Sequence, residues 1–210
     1  PVAGSFFHSS CKSKEDIEFE GGKFSLGAKP GDGFVFDNEK WAHEVNLAPF
    51  RIARSPVTNA QYLAFVDEGG APPRYWKAEG GTWLQRRFDR WLPLEAGEPV
   101  RHVDWNEAGA YCAWAKRRLP TEAEWELAVS SGDLPVTAGV WEWTANTFTG
   151  YPGFLADPYK EYSQPWFGTH RVLRGASFST PARLRRDTFR NFYTPERGDI
   201  FSGFRTCAVS

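Results

Sequence analysis

The sequence predicts an α+β domain with much irregular loop. Three helix starts are spelled out by capping chemistry, and short strand-like segments are scattered between them. Composition agrees. Ten Trp and seventeen Phe in 210 residues point to an aromatic core, and twenty Gly with fifteen Pro point to many turns and loops.

Residues 1–16 are polar and lack periodicity, so they read as a tail or linker, and 17–210 read as the domain. Ile17–Glu20 and Lys23–Gly27 read as strands separated by Gly21-Gly22. Gly31–Glu39 reads as a loop. His43–Leu47 alternates, and Phe50–Ile52 continues the strand signal. The first helix is expected over 58–68: Thr58 caps it, Gln61 sits at the capping-box position, and Tyr62, Phe65 and Val66 form its buried face. Gly69-Gly70 ends it. Residues 71–99 show no clear period and read as a long loop carrying Trp76, Trp83 and Trp91.

A second helix is expected over 106–116, capped by Asp104 with Glu107 three residues on, with Tyr111, Cys112 and Ala115 facing inward. The third, over 121–130, has the fullest signal. Pro120 precedes Thr121 as cap, Glu124 can return a bond to the cap N–H, and Trp125 and Ala128 supply the apolar face. Beyond Ser130 the chain reads mostly as loop until Val172-Leu173-Arg174, with strand-like segments again at 188–192 and 203–208.

The formal net charge is −1, which gives no global attraction for nucleic acid. No secretory signal and no apolar run long enough for a membrane span is present, so a cytoplasmic location is expected. Met is absent, as in a piece of a longer chain. Cys11, Cys112 and Cys207 are odd in number and scattered, which is no disulfide framework. Cys112 and Cys207 read as buried small hydrophobes and Cys11 as exposed. His8, His43, His102 and His170 include no i, i+4 pair, so no metal is expected on this chain. Arg183, Arg185, Arg186 and Arg190 form a basic cluster. A solvated face with Asp187 and Glu196 as partners is the favoured reading; bidentate binding of a substrate carboxylate or phosphate is the other. Asp37 and Glu39 could form an acid–base pair, but a structural hydrogen-bonding role is favoured.

Three strings go further: RLPTEAEWE at 118–126, VWEWT at 140–144 and LRGASF at 173–178. Together they resemble the formylglycine-generating-enzyme (sulfatase-modifying factor) domain, from about Phe24 to Ala208. The resemblance implies a variant of the C-type-lectin-like fold. Formylglycine-generating enzymes bind copper through two cysteines after the RGGSW-type strand. Here Pro181 and Arg186 fall at those positions, so that oxidation is not expected. Calcium, which the family can bind near its VWEW strand, is not expected either, because Gly139 replaces a frequent Asn.

Thr188–Arg197, Asp199–Arg205, Phe36–Glu39 with His43, Tyr151–Phe154 and Pro158–Ser163 resemble a particular branch: the non-haem iron synthases of ergothioneine and selenoneine. That branch joins a sulfur or selenium donor to the imidazole of histidine or trimethylhistidine with oxygen. Its iron(II) sits on three histidines of an N-terminal helical domain with an HxxxHxE-type motif, which this sequence lacks. The resemblance therefore implies a C-terminal substrate-binding half, with iron held outside this chain, that helical domain as partner, and trimethylhistidine and a thiol or selenium donor as small-molecule substrates. It implies substrate contacts from Asn191, Phe192 and Tyr193, assisted by Arg190 and Arg186, and a catalytic tyrosine at Tyr159 or Tyr162. Tyr193 replaces a frequent Asp that contacts the thiol, which favours the selenium branch. The competing class is a non-catalytic lectin-like ligand-binding module. The enzyme reading predicts that Asn191 and Tyr193 point into a concave pocket shared with Tyr159 or Tyr162, opening towards the iron-binding domain.

Overall fold

The computed structural model describes residues 16–134 and 139–209. The expected tail up to residue 15, with His8 and Cys11, lies outside the described residues.

Strand β1 (Asp16–Phe19) and β2 (Gly22–Leu26) follow each other but do not pair. Instead β2 pairs antiparallel with β3 (His43–Leu47), and β1 with β4 (Phe50–Ala53). Gly21 permits the divergence. It has φ +73°, and a Cβ there would stand 2.3 Å from the Leu47 carbonyl oxygen. Helix α1 (Asn59–Asp67) has its full capping box, the Thr58 hydroxyl accepting from the Gln61 N–H. Tyr62 and Phe65 are buried as expected, while Val66 is only half-buried.

The expected loop over 71–99 is instead a three-stranded antiparallel sheet: β5 (Trp76–Glu79), β6 (Thr82–Arg87) and β7 (Arg90–Pro93). Its first turn is Gly80-Gly81, both at positive φ. A two-residue Gly-Gly turn is a strong hairpin signal. The aperiodic Trp and Arg on the flanking strands mask it.

Helix α2 (Trp105–Trp114) and helix α3 (Glu122–Ser130) start at Asp104 and Thr121 with complete capping boxes, and β8 (Arg117–Arg118) lies between them. A further strand, β9 (Trp141–Thr147), replaces part of the loop expected after Ser130. It pairs with β10 (Arg171–Gly175), which pairs in turn with β11 (Asn191–Tyr193). Two short strands close the chain. β12 (Ser202–Gly203) runs parallel to β9, and β13 (Cys207–Ala208) fits between β4 and β8, tying the end of the domain to its start.

The core is aromatic, as composition predicts. Tyr62 stacks on Tyr111 at 5.6 Å, and Phe65, Trp76 and Phe204 pack around the pair. Cys112 and Cys207 are buried, and burial pushes both thiols up to about 12, so neither is a reactive thiolate at neutral pH. No helix among the described residues is long and apolar enough to cross a membrane.

Candidate functional site

The strongest sequence string, around α3, turns out to be a frame. Residues four apart share a helical face. Glu122 and Glu126 accordingly face β10 and β11, and Glu124 faces the other way. Glu122 accepts two bonds from Arg190, at 2.8 and 3.0 Å. Glu126 accepts from Arg174 and, at 2.8 Å, from the Gly27 N–H. Glu124 closes the capping box and accepts two bonds from Arg118. The Trp125 indole donates to Glu142, which also holds Arg205. Glu122 and Glu126 pin distant parts of the chain to α3, Glu142 ties Arg205 to β9, and Glu124 braces the start of its own helix.

This pairing divides the basic cluster. Arg190 is 1% exposed, and its guanidinium also donates to the carbonyls of Asn38 and Thr149. The solvated-face reading fails for it, because a guanidinium with four bonds to protein oxygens sits inside the fold. Arg186 is half-buried and donates to Glu39 and the Phe34 carbonyl. Arg185 bonds the carbonyls of Thr180 and Phe178, and Arg183 is exposed. Asp37 and Glu39 are buried. Asp37 accepts from the Ser163 hydroxyl, and Glu39 from the Phe36 N–H, Thr188 and Arg186. Their role is structural, as favoured from the sequence.

Above this frame lies an aromatic cluster. Tyr162 stacks on Phe36 at 4.4 Å and meets Phe192 edge-on at 5.9 Å. Phe192 stacks on Phe148 at 4.0 Å and meets His170 at 5.9 Å. Burial, followed by the nearby charges of Glu39 and Asp37 and by Tyr193, raises the Tyr162 phenol well above its ordinary value. Tyr162 therefore stays protonated at neutral pH. Tyr159 lies 6.3 Å away, ring to ring, and is 65% exposed.

Strand alternation puts Asn191 and Tyr193 on the face of β11 opposite Phe192. The Asn191 Oδ1 accepts from the Phe192 N–H at 3.0 Å. That bond fixes which way the amide points and leaves its Nδ2 donors free of protein partners among the described residues. Tyr193 lies under the Arg197 guanidinium, 5.2 Å from the ring centre. The structure thus brings Tyr162 and Phe192 into contact and sets Tyr193 near Tyr162, with Tyr159 at the rim.

Three cavities open among the described residues. Two are broad, about 520 and 620 Å³, one beside Arg185 and Arg186 and one between α2 and β8. The third, about 290 Å³, lies between the β5–β6 hairpin and the turn before α2. None of the three is lined by Asn191, Tyr193, Tyr159 or Tyr162, so the shared pocket expected from the sequence is not among them. The third was not foreseen in the sequence, because its walls come from the hairpin that reads as loop. Among the described residues no group of three His, Cys, Asp or Glu could hold a metal ion. His43 packs on Tyr151, His102 on Tyr75, and His170 on Trp166.

The sulfatase-modifying factor enzyme 1-like domain matches residues 5–137 and 133–209. The chain is 36% identical to the hercynine oxygenase of Mycolicibacterium thermoresistibile, over 87% of this chain and 56% of that protein. It spans a little over half the length of the hercynine oxygenases it matches. It is 29% identical to the formylglycine-generating enzyme of Streptomyces coelicolor, over 93% of this chain and 89% of that one. Among solved structures, PvdO from Pseudomonas aeruginosa shares the fold, with a TM-score of 0.65 at 20% identity, covering 94% of this chain and 95% of that one.

Proposed function

Because the chain belongs to the sulfatase-modifying factor enzyme 1-like domain family, we propose that it is the substrate-binding domain of an ergothioneine-pathway type of oxidoreductase. In this reading the intact enzyme uses iron(II) and oxygen to join a sulfur or selenium donor to the imidazole of trimethylhistidine. Its partners are small molecules and a helical iron-binding domain, and it works in the cytoplasm with no nucleic acid or membrane involved. The likeness to hercynine oxygenases supports the pathway. Tyr193, in place of a frequent Asp, supports selenium over sulfur as the donor.

One observation of this chain carries the reading furthest. Tyr162 is wedged between Phe36 and Phe192, with its phenol kept protonated by burial and by buried carboxylates. The raised pKa makes this phenol a weak acid that can deliver a proton only to a strongly basic reacting group, and aromatic faces attract a trimethylammonium group. The Nδ2 of Asn191, oriented by its own strand, can donate to a substrate carboxylate or imidazole. Iron(II) finds no ligand set among the described residues, so these roles stop at binding, orientation and proton delivery.

The test is a comparison of the two tyrosines in the intact enzyme. Tyr162→Phe should lower single-turnover rates by about 10²–10⁴-fold, with trimethylhistidine affinity little changed. Tyr159→Phe should stay close to the parent. The opposite ranking would assign proton delivery to the exposed ring and remove the support drawn from Tyr162.

A further inference from the structure

We propose that the cavity of about 290 Å³ between the β5–β6 hairpin and the turn before α2 binds a small carboxylate carrying a flat apolar body. This inference does not rest on the function proposed above. None of the residues assigned there lines this cavity.

The first observation is a set of polar atoms without partners. Buried polar groups in folded proteins are hydrogen-bonded almost without exception, and each exception calls for an explanation. Around this one cavity the Gln85 Nε2, Arg87 Nε, Arg101 Nε and His102 Nδ1 are all buried, and none has a hydrogen-bond partner. Gln85 is 5% exposed, on the inward side of β6. Three of the four nitrogens can only donate, and all four are closed off from water, so an accepting group in the cavity reaches them once these side chains turn toward it.

The second observation is charge. Arg86, Arg87 and Arg101 line the cavity, and no acidic residue does. Glu98 is shared, pairing with Arg87 and, at 3.7 Å, with Arg101. One carboxylate against three guanidiniums leaves positive charge for an anion. Arginine nitrogens match the two oxygens of a carboxylate especially well.

The third is shape. The remaining walls are aromatic, with Tyr75, Trp76, Phe178 and Phe201 around the donors. Tyr75 stands edge-on to His102 at 4.7 Å, and Phe178 meets Phe201 at 4.6 Å. His102 itself sits in the left-handed region, at φ 64°, which side-chain-bearing residues seldom adopt. The volume is at the small end for ligand pockets, which run from about 300 to 1,000 Å³. It admits one small flat ring system with a short acid arm and excludes a folded macromolecule.

The experiment is calorimetry, backed by saturation-transfer NMR, on the full chain. Phenylacetate, indole-3-acetate and imidazole-4-acetate are the probes, and phenylacetamide is the neutral control. At least one acid should bind. If it is phenylacetate, the amide should bind at least about tenfold more weakly, the size expected when a charge-assisted bond is lost. Gln85→Leu and Arg101→Met should each weaken the acid by about tenfold or more. Asn191→Ala should leave it unchanged. Gln85→Leu removes an amide whose Nε2 has no partner and should keep a cooperative melting transition within a few degrees of the parent, about 2–4 °C for 1 kcal/mol in a chain of this size, so its loss of binding is separable from misfolding. Failure of all three acids to bind at millimolar concentration, equal binding of phenylacetate and its amide, or binding that ignores Gln85→Leu would each overturn the proposal.

Discussion

The α3 frame and the wall of the β5–β6 cavity are both built from buried charged and polar groups, yet they are finished differently. Around α3, Glu122, Glu126 and Glu142 each face an arginine and accept its bonds, and of the arginine nitrogens there only the Arg174 Nε lacks a partner. In the cavity wall four nitrogens have none. A satisfied network holds distant segments in one arrangement, whereas an unsatisfied one carries a desolvation cost until a partner completes it. The two regions should therefore differ sharply in how much stability the same kind of substitution costs.

The largest expected effect is in the frame. Arg190→Met leaves Glu122 buried without its partner and should lower the unfolding free energy in urea by about 3–5 kcal/mol. Adding Glu122→Leu should recover much of that loss, because a buried pair replaced by apolar groups is often near neutral. If the double variant is as unstable as the single one, the pair is not the reason for the damage. Next is the cap. Thr121→Ala removes the acceptor for the Glu124 N–H and should cost about 1 kcal/mol by the same assay.

The frame also carries a pH signature. Burial alone would raise the Glu124 pKa, but the Arg118 and Thr121 bonds outweigh it and the net shift is downward. A depressed carboxylate adds stability above its unfolded-state value, and that stability is lost as pH falls through the folded value. Urea midpoints should drop as pH falls below about 4.3, and Glu124→Gln should flatten that part of the profile. The smallest effect belongs to the cavity wall. Gln85→Leu should change stability by under about 1 kcal/mol, with either sign, because no bond is broken.

The same contrast explains what the sequence discloses. All three helix starts are local, written within four residues by Thr58–Gln61, Asp104–Glu107 and Thr121–Glu124, and each forms as read. Family strings extend that to the whole fold. The pairing of Arg190 with Glu122 spans 68 residues and leaves no local trace, so Arg190 reads as one more charge in a basic run. Strand β1 lies beside β4 rather than β2 for the same reason: pairing partners are chosen in three dimensions. The β5–β6 hairpin is a different case. Its Gly80-Gly81 turn is legible, but Trp and Arg on both faces of the strands erase the alternation that would have supported it. At the aromatic cluster the resemblance points to the residues, and only the structure separates half-buried Tyr162 from exposed Tyr159.

In the proposed function β11 presents substrate contacts on a frame that other residues hold. Asn191→Ala separates the two roles, with unfolding free energy and trimethylhistidine affinity both measured in the intact enzyme. Affinity should weaken by about 1–3 kcal/mol, with stability close to the parent. Unchanged affinity with a loss of stability would contradict this and make Asn191 part of the frame.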